Sequence, residues 1–221
     1  FISSATNLIG TDANARTDVF LHDRDTDADG LFDEAGAIST VRASLGDDES
    51  EANDASDLPA VSDDGRYVAF TSNATNLVAS DGNGVTDVFV RDAVNGTTVR
   101  VSVASNGGEG GGQSYAFDMS SDGRRVTFQS LASNLVASDT NGVQDIFLHD
   151  RDTDTDGLFD EAGAVATMRV SVDSLGTEAD AASAAPAISA DGTYVGFVSS
   201  ATNLAASDTN AVDDVLVHDP P

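Results

Sequence analysis

The sequence predicts an all-β chain: a β-propeller-like array of four-stranded antiparallel blades, three to four in number, with incomplete terminal blades. Three observations predict it. A pattern recurs along the whole chain, its apolar runs are short and β-rich, and turn signals separate those runs at regular intervals.

The repeat has fixed points. Ser-Ser-Ala-Thr-Asn-Leu8 returns as Ser-Asn-Ala-Thr-Asn-Leu77, Ser-Leu-Ala-Ser-Asn-Leu135 and Ser-Ser-Ala-Thr-Asn-Leu204. Asp18, Asp87, Asp145 and Asp214 each open an apolar run, at separations of 69, 58 and 69 residues. The longer units carry an inserted acidic string, so the basic unit is 58 residues. The 221 residues read as one domain with units of approximately 1–70, 71–128, 129–197 and 198–221.

Each unit is expected to hold four strands. The first is Leu58–Ser62, Tyr115–Met119 and Pro186–Ser189. An Asp-Gly pair (Asp64-Gly65, Asp122-Gly123, Asp191-Gly192) then signals a tight hairpin. The second strand is Tyr67–Phe70, Arg125–Phe128 and Tyr194–Phe197. The third is Asp18–Leu21, Asp87–Val90, Asp145–Leu148 and Asp214–Val217. The fourth is Ile38–Ala43, Thr98–Val103 and Thr167–Val172. No amphipathic helix of useful length is visible. Phe1-Ile-Ser-Ser aligns with Phe197-Val-Ser-Ser, and the chain stops just after a third strand. The first unit therefore lacks a first strand and the last lacks a fourth. Either the chain is a fragment of a longer array, or another copy supplies the missing strands.

Ser-Asp-Asp-Gly-Arg-Tyr-Val-Ala-Phe70 and Ser-Ala-Asp-Gly-Thr-Tyr-Val-Gly-Phe197 resemble the TolB-type propeller repeat, as does the following Asp-Val-Phe-Val-Arg-Asp92. The resemblance covers almost the whole chain and implies a propeller fold; on function it is nearly silent, because propellers host many unrelated activities.

The acidic string appears twice, as Asp23-Arg-Asp-Thr-Asp-Ala-Asp-Gly-Leu-Phe-Asp-Glu34 and Asp150-Arg-Asp-Thr-Asp-Thr-Asp-Gly-Leu-Phe-Asp-Glu161. Alternate carboxylates converge on one centre, and hard oxygen ligands in that number suit calcium. The expected ligands are Asp25, Asp27, Asp29, the Leu31 carbonyl, Asp33 and Glu34. In the second string they are Asp152, Asp154, Asp156, the Leu158 carbonyl, Asp160 and Glu161. Gly36 and Gly163 stand where an EF-hand has its bidentate Glu, so this is not a standard EF-hand. The string resembles thrombospondin type 3 and related bacterial calcium loops. The bland alternative is a solvated acidic hairpin tip. Because unit two turns with Ala93-Val-Asn-Gly96 instead, both strings are expected to be peripheral.

A second constellation occurs in all four units: Asp12/Asn14/Asp18, Asp81/Asn83/Asp87, Asp139/Asn141/Asp145 and Asp208/Asn210/Asp214. These offsets match the start of a calcium loop. The alternative is turn chemistry, in which Asp and Asn bond their own backbone. His22, His149 and His218 share one repeat position with Arg91 and are expected to be cations pairing with local Asp. Asn7, Asn76, Asn134 and Asn203 are expected to hold turns, and Gly107–Gly112 to be a plain linker.

Composition narrows the function classes. The chain has 10 Arg, no Lys, 32 Asp and 6 Glu, for a net charge of −28. Such a charge disfavours nucleic acid and anionic membrane as partners, and no stretch is long and apolar enough for insertion. With no Cys there is no disulfide framework and no thiol catalysis. The leading expectation is an extracellular or cell-surface, calcium-binding structural protein, assembling as a homo-oligomer or filament through its incomplete ends. The alternative is a propeller module binding a glycan or protein ligand. A carboxylate-based glycosidase or lyase is the remaining reading, disfavoured because no acidic pair is unique.

Overall fold

The computed structural model describes residues 1–206, 208–210 and 212–220. It contains four antiparallel sheets and, among the described residues, no helix. The first sheet is β1 (Ile2–Ser3), β2 (Asp18–Asp23) and β3 (Ser39–Arg42). The second is β4 (Ser56–Val61), β5 (Tyr67–Ser72), β6 (Asp87–Asp92) and β7 (Thr97–Arg100). The third is β8 (Ser114–Met119), β9 (Arg125–Ser130), β10 (Asp145–Asp150) and β11 (Ala166–Arg169). The fourth is β12 (Ser183–Ile188), β13 (Val195–Ser199) and β14 (Asp214–His218). Each is an up-and-down meander in sequence order. This is the blade array the sequence predicts, with three-stranded sheets at both ends.

The turns explain the meander. In each complete turn a Ser–Asp pair does the folding: Ser62 Oγ donates to Asp64 at 2.6 Å, and the Arg66 amide donates to the same carboxylate at 3.0 Å. Gly65, Gly123 and Gly192 then take φ of 72°, 74° and 74°, where a side chain is strained. At Gly123 there is also no room, since a Cβ would meet the Tyr67 ring of the preceding sheet at 2.4 Å. The turn is thus also a packing contact between blades.

Three apolar clusters lie between consecutive sheets. Val19 and Ala43 meet Val68, Phe70 and Phe89; Val88, Val90 and Val101 meet Ala116, Val126 and Phe128; Ile146 and Leu148 meet Val195 and Phe197. Strands sandwiched this way are buried on both faces, which is why β5, β6 and β10 are buried throughout. Two expectations shift here. The first strands begin earlier than predicted and carry bulges between Asp57/Ala60, Ala116/Asp118 and Ala184/Ala187, with Leu58 and Ala185 at positive φ. Gly107–Gly112 is not a plain linker. Gly110 donates to Ser102 O, Gly111 to Asn134 Oδ1, and a Cβ on Gly112 would strike the Leu131 carbonyl carbon at 2.6 Å.

Candidate functional site

The two acidic strings form closed loops, the first between β2 and β3 and the second between β10 and β11. In the first, the Thr26 amide donates to Ala37 O at 2.9 Å and the Asp33 amide to Arg24 O at 2.8 Å. The second repeats both bonds with Thr153–Ala164 and Asp160–Arg151. Gly30 and Gly157 adopt φ of 88° and 87°, and the chain wraps back so that Asp25 accepts from the Gly30 amide at 2.9 Å and Asp152 from Gly157 at 3.1 Å. The wrap brings Asp25, Asp27 and Asp29 together, and likewise Asp152, Asp154 and Asp156, with one carboxylate oxygen of each within 4.8 Å of the others. Each triad could hold a metal ion. Desolvation raises the Asp154 carboxyl above its usual range, helped by its hydrogen bond with Asp152 and the charges of Asp156 and Asp152. A cation would relieve that repulsion.

Asp33 and Asp160, expected as ligands, stand elsewhere. Asp33 is gripped by Arg24 through Nε at 3.0 Å and Nη2 at 2.5 Å, and Asp160 by Arg151 at 2.9 and 2.5 Å. A bidentate guanidinium leaves these carboxylates committed to closing the loop. Glu34, Glu161, Leu31 and Leu158 lie in the same loops but outside the carboxylate triads.

The strings also differ in setting. Phe32 is 64% exposed, whereas Phe159 packs on Tyr67 of the neighbouring sheet with ring centroids 5.2 Å apart. Arg151 is buried, stacks on both rings at 4.8 and 4.9 Å, and donates to Gly123 O. The second string is therefore an inter-blade clamp, not the peripheral insertion the sequence implied.

The second constellation contains a cation already. In the first sheet Arg42 lies 3.3 Å from Asp12, 3.4 Å from Asp18 and 2.7 Å from Glu51. Arg100 sits likewise among Asp81, Asp87 and Glu109, and Arg169 among Asp139, Asp145 and Glu178. The asparagines point the wrong way for ligands. Asn14, Asn83 and Asn141 spend Oδ1 on a backbone amide two residues on and aim Nδ2, a donor, at Asp18, Asp87 and Asp145. The calcium expectation gives way in these three units to a guanidinium supplied by the fourth strand. Burial raises the Asp18, Asp81, Asp139 and Asp145 carboxyls above their usual range. Glu178, by contrast, is held down to about 2 by hydrogen bonds from Thr140 and by Arg169.

The arginines and their glutamates went unread in the sequence, although Arg42/Glu51, Arg100/Glu109 and Arg169/Glu178 all share one spacing. Among the described residues no arginine enters the constellation of Asp208, Asn210 and Asp214. All ten arginines have acidic partners elsewhere.

Two smaller expectations are corrected. His149 does not pair with Asp: it is buried and bonds Thr167 at 2.8 Å, while His22 does the same with Thr40. Thr167 spends its proton on Val103 O, so His149 Nδ1 is the donor. Burial lowers His149 from the model-peptide 6.5 to about 4. Asn76, Asn134 and Asn203 bridge sheets instead of capping local turns: each donates to the carbonyl of the preceding unit's Glu51, Glu109 or Glu178.

No protein family and no curated protein matches the chain. Among solved structures it is similar to a putative TolB from Agrobacterium tumefaciens, 17% identical with a TM-score of 0.48, over 93% of this chain and 53% of that one. TolB from Acinetobacter baumannii is 18% identical with a TM-score of 0.41, over 92% and 35% of the two chains. The tricorn protease is 13% identical with a TM-score of 0.43, over 80% and 13%. The chain thus spans little more than half the length of the first TolB structure and about a third of the second.

Proposed function

We propose that the chain is a non-enzymatic, calcium-binding structural repeat protein of an extracellular or cell-surface setting, assembling through its incomplete terminal sheets. The observation that carries this reading is the pair of preformed aspartate triads. A rigid loop with three convergent carboxylates and open faces suits a hard, flexible-coordination cation, and a site this exposed needs calcium at concentrations found outside cells. A structural role also fits the other polar devices. The guanidinium centre and the His–Thr pair recur from unit to unit, whereas a catalytic constellation is made once per domain.

The test is thermal melting of the whole chain in chelator and in millimolar calcium. Ligand that binds only the folded state raises stability by mass action, about 1.4 kcal/mol per site at ten times the dissociation constant. Calcium is expected to raise the melting temperature, and Asp152→Asn with Asp154→Asn to remove much of that rise. An unchanged melt would sink the calcium reading.

A further inference from the structure

A cleft of about 510 Å³ lies between the second and third sheets, both of which have all four strands. The β7 side and the loop after it supply Val99, Val103 and Asn106. The facing side supplies His149, Glu161 and Val165. His149 is only 2% exposed, yet it lines the cleft. Its Nδ1–H is held by Thr167, whose own proton goes to Val103 O. The tautomer is thereby fixed, and Nε2 carries a lone pair. Among the described residues nothing donates to that lone pair. Burial pushes the imidazole down to about 4, so it is a neutral acceptor at pH 7. Buried polar atoms are normally paired, and this one can be paired by a ligand in the cleft.

The preceding interface shows what fills the equivalent place. Arg91 holds the repeat position of His149 and is 4% exposed. Its guanidinium crosses to the loop of the first sheet, donating to Gly46 O at 3.2 Å and to Glu49 at 2.5 Å. It also donates to Gly96 O at 2.9 Å. One unit on, both halves of that ion pair are replaced: His149 stands for Arg91 and Gly107 for Glu49. Imidazole is shorter and here uncharged, so it cannot reach across as the guanidinium does. Ala104 and Val165, the counterparts of Gly46 and Gly96, therefore have no cation brought to their carbonyls by this position. The acidic string brings a carboxylate back. Glu161 lines the cleft, is exposed, and pairs with no arginine among the described residues. The nearby guanidinium groups are already engaged, Arg100 with Asp81, Asp87 and Glu109, and Arg151 with Asp160. The cleft thus offers acceptors, one carboxylate and valine walls inside a chain of net charge −28. That field disfavours an anion and favours a cation.

We propose that the cleft between the second and third sheets binds a small organic cation, a guanidinium or ammonium carried on an apolar body, in the place that Arg91 fills one interface earlier. The cationic head donates to His149 Nε2 and lies beside Glu161, and the hydrocarbon body packs on Val99, Val103 and Val165. The volume suits one small molecule. Such binding goes beyond the structural role proposed above and does not involve calcium.

The experiment titrates phenethylguanidinium into the full chain in chelator, with phenethyl alcohol and 3-phenylpropionate as the neutral and anionic probes. Chelator keeps calcium off the neighbouring acidic loop, so the result is independent of the metal reading. Saturable one-to-one binding of the guanidinium is expected, together with a shift of the His149 imidazole resonances. The alcohol and the anion are expected to bind at least about tenfold more weakly, since neither answers Glu161. Glu161→Gln changes an exposed side chain and is expected to weaken the guanidinium roughly three- to tenfold. His149→Arg places in the chain the group that Arg91 supplies, and is expected to compete with the ligand and abolish its binding. Absence of saturable binding by the native chain would overturn the proposal, whether or not the His149→Arg chain folds. So would equal binding of the alcohol or the anion, undiminished binding by the Glu161→Gln chain, or saturation that leaves the His149 resonances unmoved.

Discussion

Arg42, Arg100 and Arg169 each face three carboxylates with one guanidinium, in sites where the arginine side chains are only 2–8% exposed. Burial penalises charge, which is why Asp81 is raised, with Asp87 adding its like charge. Arg100→Met removes the only cation and leaves Asp81 and Asp87 buried together. Breaking a buried pair from one side costs about 3–5 kcal/mol. That loss, read by denaturant unfolding at pH 7, is expected to shrink as pH falls. The uncompensated Asp81 has a folded value above its unfolded one, so the folded state takes up its proton first and gains stability on acidification. A loss that is independent of pH would show that packing, not charge, is what Arg100 supplies. His149 has the opposite sign. Its folded value of about 4 lies below 6.5, so between those limits the unfolded chain binds more protons and stability is lost as pH falls. From pH 7 to 5 the contribution is about 2 kcal/mol, and His149→Gln is expected to remove that slope. The arginine site was hard to read in the sequence because its parts are far apart and irregularly spaced. Asp18 precedes Arg42 by 24 residues and Asp87 precedes Arg100 by only 13, since the acidic insertion intervenes in the first case and not in the second. The short-range Asp-x-Asn-x-x-x-Asp pattern looked complete by itself, and only the fold brings a strand bearing arginine beside it.

At the scale of elements, the strands were legible because each signal was local. Asp64-Gly65 demands a turn, and the apolar runs after it demand cover on both faces. The first strands were placed too late because Leu58 and Ala185 lie in bulges, whose positive φ no neighbouring glycine announces. The acidic loops look identical in sequence yet sit differently, because what distinguishes them is the neighbour. Arg151 and Phe159 have Tyr67 of the preceding sheet to pack on; among the described residues Arg24 has Phe32 alone, at 5.2 Å. Replacing residues 25–34 by an Asn-Gly turn is therefore expected to change stability by less than about 1 kcal/mol in chelator. The same excision of residues 152–161 removes the Phe159–Tyr67 contact and leaves the buried Arg151 without its Asp160 partner, and is expected to cost about 2–4 kcal/mol. Equal effects of the two deletions in denaturant unfolding would refute the clamp.

For the whole molecule, stability is distributed by neighbours. A net charge of −28 repels throughout, and the compact state is held by three interlayer clusters and by contacts that recur between adjacent sheets. The second and third sheets are packed on both sides, and their strands β5, β6 and β10 are buried at every position. The fourth sheet is packed on one side, with Val215 78% and Val217 70% exposed on β14. An array coupled this way opens from its ends, because the outermost sheet gives up one interface while an inner sheet gives up two. Native-state hydrogen exchange is expected to show the slowest amides in β5, β6, β9 and β10, and amides in β13 and β14 exchanging at least about tenfold faster, a difference of about 1.4 kcal/mol in opening free energy. Uniform protection across all four sheets would mean that they open as one unit, and would refute the graded array.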